Sequence, residues 1–199
     1  MTAGVRQLLG LALAIISFVG TIVICALPQW RVTKIFERSS ISAAQMFTEG
    51  LWKVCSTFNA QSLACIEYEK TLVSISQDLE VARALIVIAI IVGAFGILLG
   101  AAGSKFINFV PDERKRSKMA MASGVVCLIA GIFVLIPVCW TTNTTTTATI
   151  QDIFNNFLPH VSLKMELGAS LYIGWITTAL LFLGGGLLCS SFICQDGTD

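Results

Sequence analysis

The stretch ALIVIAIIVGAFGILLGAAGS, Ala84 to Ser104, carries no ionisable side chain and is bracketed by Arg83 and Lys105. A helix needs about 20 apolar residues to cross the hydrocarbon core of a bilayer, and this stretch has that length. Three others match it. Leu8 to Leu27 holds no ionisable group but Cys25; Met119 to Trp140 follows Lys118 and ends Pro137-Val138-Cys139-Trp140; Gly168 to Ile193 follows Glu166 by one residue. No Asp, Glu, Lys, Arg or His interrupts any of the four. In lipid the backbone must satisfy its own hydrogen bonds, and an α-helix does so within one segment. The reading is a mainly α membrane protein with four transmembrane helices, at 8–27, 84–104, 119–140 and 168–193.

Composition agrees. Of 199 residues, 55% are hydrophobic and only 13% charged, with a mean hydropathy of +0.82. Soluble domains carry about 25% charged residues, so a soluble fold could not cover its surface. Disordered chains are charge-rich and apolar-poor and are excluded on the same ground. The net charge of +1 leaves no polybasic field for nucleic acid. Arg6 ahead of an apolar run resembles a signal peptide, but the run exceeds the ~7–15 residues of such a core, and the first span reads as an uncleaved helix. Pumps and ion-coupled transporters need ionisable groups at membrane depth. Their absence argues against a transport path through the bundle.

The connections set the orientation. Lys105 to Lys118 packs Lys105, Arg114, Lys115, Arg116 and Lys118 into a short loop, which the positive-inside rule assigns to the cytoplasm. Both termini are then cytoplasmic, and 28–83 and 141–167 lie outside. The sequon Asn143-Thr144-Thr145 falls on that outer side. It makes Asn143 a possible glycosylation site, although it sits only a few residues past Trp140. Cys189 and Cys194 sit at the inner end of the fourth span, where palmitoylation and a free thiol both remain open. Small residues are plentiful: Gly96 and Gly100 form GxxxG, Gly124 and Gly131 lie in the third span, and Gly184 to Gly186 in the fourth. They let helices approach closely, either inside one bundle or at a dimer seam.

The long outer loop is too long to be structureless. Gln29 to Phe36 has the β-branched and aromatic content of a strand, Gly50 to Cys55 reads similarly, and so does Leu63 to Lys70. The polar stretch between the cysteines can turn. A strand-turn-strand unit closed by Cys55–Cys65 is the natural reading, on the side where disulfides persist. Leu72, Ile75, Leu79 and Ala82 then follow helical spacing and predict a helix from about Ser76 leading into the second span.

Trp30, Gly50-Leu51-Trp52, Cys55 and Cys65 together resemble the W-GLW-C-C signature of the claudin and PMP22-like tetraspan group. Pro28-Gln29-Trp30-Arg31-Val32, Gln77 to Leu85, Ile136 to Trp140 and Gly168 to Trp175 resemble claudins more narrowly. The resemblance implies one domain over 1–199: a left-handed four-helix bundle with a small extracellular antiparallel β-sheet, most strands from the first outer loop and one from the second. It implies that Trp30, Gly50, Leu51 and Trp52 anchor the sheet, that Arg83 is the family's arginine on the second helix, and that Phe154-Asn155 lies in the segment used for contact between cells. It implies a plasma-membrane protein of the tight junction that self-associates with other claudins in cis and in trans. Such strands seal the paracellular space or form charge-selective pores. The chain departs from the pattern at Asn156, where proline is usual, and at Thr144 to Thr147, which look inserted. Phe106 and Phe109 stand where the family often has lipidated cysteines. The end, Gly197-Thr198-Asp199, lacks the Tyr-Val that binds PDZ scaffolds, so PDZ binding is not supported by this C-terminus: either this member lacks the scaffold tether or the chain is truncated.

Charge selectivity in such a pore comes from side chains facing a narrow aqueous path. Glu67 and Glu69 share a strand face and would bias it towards cations, against a reading in which Lys53 and Lys70 balance a merely solvated face. The competing function is an auxiliary, gamma-like subunit of an ion channel, since those subunits share the W-GLW-C-C pattern. Enzymology has little to stand on. His160 is the only histidine, no metal-spaced cluster or phosphate loop is present, and no cofactor or metal is expected.

Overall fold

A computed structural model describes residues 3–37, 43–58, 62–68, 76–104, 113–155 and 161–196. In chain order the elements are α1 (Ala3–Ala26), β1 (Arg31–Glu37), β2 (Ala43–Glu49), β3 (Lys53–Phe58), β4 (Ser62–Glu67), α2 (Gln77–Ala102), α3 (Glu113–Asn155), β5 (Val161–Leu167) and α4 (Ala169–Asp196). All four helices contain stretches long and apolar enough to cross a membrane. The chain forms two compact units. One comprises Met1–Ile22, Leu85–Leu135 and Gly174–Asp199, the other Val23–Ala84 and Ile136–Ile173.

The first unit is helical, and its glycines mark where helices touch. A Cβ on Gly93 would meet the Phe18 ring at 3.3 Å, which places α2 on α1. One on Gly100 would stand 2.7 Å from the Ser123 hydroxyl, and one on Gly96 3.1 Å from Cys127 Sγ, which places α2 on α3. The Ser123 hydroxyl donates to the Gly96 carbonyl at 2.6 Å across that contact. Gly124 faces Cys189 and the Gly185 carbonyl, joining α3 to α4, and Gly10 faces Leu188 and the Gly184 carbonyl, closing α4 onto α1. The GxxxG pair is therefore engaged within one chain, on α3, and not at a dimer seam. The faces turned away from these contacts are apolar, with Leu98 65% and Ile176 62% exposed. A water-facing surface of that kind is rare on soluble monomers, and lipid accounts for it.

The second unit holds a five-stranded sheet in the order β4-β3-β2-β1-β5, antiparallel throughout. β1 pairs with β2 and with β5, so the strand that follows α1 is internal to the sheet. A register shift between Ile35 and Phe36 marks a bulge against β2. Three expectations change. Ala43–Glu49 forms a strand that the sequence did not signal, because it mixes Ala, Gln and Thr without clear alternation. Gly50-Leu51-Trp52 is the bend between β2 and β3 rather than part of a strand. The third helix does not end at Trp140 but continues to Asn155. A run of β-branched threonines is a poor helix former, yet here the hydroxyls bond back into the helix. Thr142 donates to the Val138 carbonyl at 2.6 Å, Thr145 to Thr141 at 2.7 Å and Thr147 to Asn143 at 2.8 Å. This pattern satisfies the hydroxyls without leaving helical geometry.

Candidate functional site

The residues between α1 and β1 are gripped from two sides. A Cβ at Gly50 would collide with the Pro28 backbone, and one at Gly168 with the Gln29 backbone. Only glycine fits at either place. The Gly168 N–H donates to the Trp30 carbonyl at 3.1 Å, the Ser170 N–H to Gln29 at 3.0 Å, and the Trp30 N–H to Glu49 at 2.8 Å. Trp30 and Leu51 are fully buried. The Trp30 indole N–H donates to the Ile24 carbonyl at 2.8 Å. Ile24 lies in the last turn of α1, where carbonyls lack a partner within the helix. Trp30 therefore caps the helix that it follows while its ring fills the core. The signature residues Trp30, Gly50 and Leu51 are thus brought together, with Gly168 added to them.

Arg31 points away from Trp30 and is nearly as deeply buried. Its Nε donates to the Thr145 hydroxyl and one terminal nitrogen to the Thr144 hydroxyl, both at 3.2 Å. The guanidinium lies 3.7 Å from a Glu49 carboxylate oxygen on β2 and 3.7 Å from an Asp78 oxygen at the start of α2. One side chain thus ties β1 to β2, α2 and α3. A planar five-donor group suits several acceptors at once, and a buried charge without them would be costly. Sequence reading missed this hub, because its threonine partners lie 113 and 114 residues away. The apparent insertion at Thr144 to Thr147 supplies two of its acceptors.

Trp52 behaves differently from Trp30. It is 40% exposed, and the Arg83 guanidinium carbon lies 3.8 Å from its ring centroid, a cation–π contact. Both line a recess with Ala26, Lys53, Glu67 and Tyr68. Four residues singled out from sequence (Trp52, Lys53, Glu67 and Arg83) thus meet around one opening, and Tyr68 is a fifth that the sequence did not mark. The Tyr68 hydroxyl donates to the Gly50 carbonyl at 3.3 Å. Burial first, and then the Glu49 charge, push its phenol up to about 12, with the Arg31 charge opposing.

Cys55 and Cys65 face each other across β3 and β4 and are joined by a disulfide, with Cα atoms 4.0 Å apart. Lys53 stands opposite Glu67 in the same ladder. By register, Lys34 and Lys164 share the sheet face of Cys55, Lys53 and Glu67. Glu166 lies between the two, 2.6 Å from Lys34 and 3.1 Å from Lys164. Hydrogen bonds from Lys34 and then Lys164 hold its carboxyl below the usual range. Asn143 is exposed on α3. Glu69, Lys70 and His160 lie outside the described residues. Phe154 and Asn155 end α3, and their side chains, like that of Cys194, are also outside them. Cys189 is half-buried against Gly124. Among the described residues no cluster of His, Cys, Asp and Glu could hold a metal ion.

Residues 4–188 match the family described as PMP-22/EMP/MP20/Claudin. Among curated proteins, the chain is 44% identical to cattle (Bos taurus) Claudin-4 over 97% of its own length and 88% of that protein's. It is 47% identical to the zebrafish (Danio rerio) Claudin-like protein ZF-A89, over 92% and 85%. It is 42% identical to human (Homo sapiens) Claudin-6, over 99% and 86%.

Proposed function

The chain belongs to the PMP-22/EMP/MP20/claudin family, and from that membership we propose that it is a structural component of tight junctions in the plasma membrane, associating with claudins beside it and on the opposed cell. The role is structural and not enzymatic. In this reading both termini are cytoplasmic and the five-stranded sheet is the outer, adhesive part. The observation that carries it is the sheet itself: closed by Cys55–Cys65 and tied by Arg31 to two helices, it is a rigid surface fit to bear contact. The second strand of the reading, sealing against selective conduction, turns on charge. Glu67 faces Lys53, and Lys34 and Lys164 bracket Glu166 on the same face. That near balance among the described residues of the face favours sealing over a cation bias set by Glu67 and Glu69.

The test is freeze-fracture of transfected fibroblasts with transepithelial resistance in a monolayer. Continuous strands at cell contacts and raised resistance support the proposal. Absence of strands together with altered gating of a co-expressed channel overturns it in favour of an auxiliary subunit. In dilution-potential measurements, Glu67→Gln leaves the sodium-to-chloride permeability ratio unchanged if the face seals, and lowers it if Glu67 lines a cation path.

A further inference from the structure

We propose that the recess of Trp52, Lys53, Glu67, Tyr68, Arg83 and Ala26 is a binding site for the headgroup of a zwitterionic phospholipid. The depth of the recess comes from two of its own residues. Ala26 is the last residue of α1, at the end of the first apolar span, and Arg83 immediately precedes the second. Where α1 and α2 cross a membrane, as their length and hydropathy allow, the opening lies at the level where hydrocarbon gives way to headgroups. Its chemistry matches that level. Trp52 presents an exposed ring, and tryptophan and tyrosine favour this boundary because they pair an apolar body with a polar tip.

The lining carries both signs of charge that a zwitterionic headgroup carries, with one cation in excess. Among the described lining residues Arg83 and Lys53 are the two cations, and a guanidinium and an ammonium are the side chains that bind phosphate oxygens. Arg83 is already positioned by the Trp52 ring at 3.8 Å, which lowers the cost of ordering a long side chain on binding. Among the described lining residues Glu67 is the one carboxylate, and it stands across the β3–β4 ladder from Lys53. A phosphodiester anion seated between Arg83 and Lys53 leaves its positive choline or ethanolamine to Glu67 and the aromatic faces. Tyr68 is neutral there at physiological pH, as a free phenol also is. It adds no second negative charge to repel the phosphate.

Native mass spectrometry of the full chain, delipidated in detergent and then offered phosphatidylcholine, tests the site. The expected result is one tightly retained lipid, while diacylglycerol of the same chain length is stripped and millimolar inorganic phosphate leaves the lipid bound. Lys53→Gln and Arg83→Gln each lower retention about tenfold, the loss of one charge-assisted contact, and Lys53→Arg restores it. Glu67→Gln weakens phosphatidylcholine but spares phosphatidic acid, which lacks the amine. Lys53 does not touch Trp52 in the cation–π pair, so its variant stands in if Arg83→Gln fails to form the Cys55–Cys65 bond on a non-reducing gel. Equal retention by wild type and Lys53→Gln, equal binding of diacylglycerol, or displacement by free phosphate each overturns the proposal. None of these results bears on whether strands form between cells, so this inference and the junctional one fail separately.

Discussion

At the scale of single residues, Trp30 and Trp52 show how neighbouring copies of one side chain take opposite roles. Trp30 is buried and caps α1; Trp52 is half in the open and holds Arg83. Tyr68 is a residue whose chemistry departs far from its free value. Its folded-state phenol titrates near 12 rather than 10. The raised value means that the folded state favours the protonated form. Its contribution to stability is therefore complete below pH 10 and is lost as pH rises from about 10 through about 12. Ultraviolet titration of the phenolate should show a midpoint near 12 that vanishes in Tyr68→Phe. Asn143 gives a second expectation at this scale. Its sequon is helical, and the Thr145 hydroxyl is buried, donating to Thr141 and accepting from Arg31. A glycosylating enzyme acts on the nascent chain, and what keeps it from this sequon is the closeness of Asn143 to the end of the third span at Trp140. The protein should stay unmodified, with Asn143→Gln and wild type migrating alike after glycosidase treatment and before it.

Elements meet here through close approach of backbone and through ion pairs. Gly50 is fixed by the Pro28 backbone, which cannot move aside like a flexible side chain. Gly50→Ala should therefore cost about 1–3 kcal/mol or more by overpacking, read as a lowered melting temperature, whereas Gly186→Ala, with nothing near it inside α4, should be harmless or stabilise by up to about 1 kcal/mol. The β1–β5 pairing carries a pH dependence. The Glu166 carboxyl is held below its ordinary range by Lys34 and Lys164. Its stabilising effect is present above that range and is lost as pH falls through the depressed value. The protection factors of the β5 amides, which are exchange rates corrected for their intrinsic pH dependence, should fall on acidification, and Glu166→Gln should remove that fall.

For the whole molecule, Arg31 and the Cys55–Cys65 bond matter most in the unit that holds the sheet. Removing Arg31 leaves Glu49 and Asp78 without their cation. Arg31→Met should destabilise by about 3 kcal/mol, the lower end of the ~3–5 range for a broken buried pair, because both carboxylates keep some water. Cys55→Ser with Cys65→Ser opens a short ring and should cost a little under about 3 kcal/mol on chain-entropy grounds. Both are measurable by unfolding in denaturing detergent. The arginine variant should also lose the tie to α2 and α3, seen as exposure of Thr145 to exchange.

Periodicity and composition were enough for the four spans, because lipid demands long runs without charge and tolerates little else. The disulfide was legible as well, since only two cysteines fell on the outer side and polar residues between them could turn. The signature Trp30, Gly50, Leu51 and Trp52 was visible as a pattern, but its division into a buried cap and an exposed ring was not. The continuation of α3 through the threonines was invisible, because their intrinsic preference is against helix and only back-bonding together with Arg31 reverses it. The recess was invisible for a related reason: Ala26, Trp52, Glu67 and Arg83 come from separate segments of the chain. Hydrophobic runs and turns are properties of neighbours along the chain. A buried arginine's acceptors and a recess between strand and helix are properties of distant residues, and only folding brings those into reach.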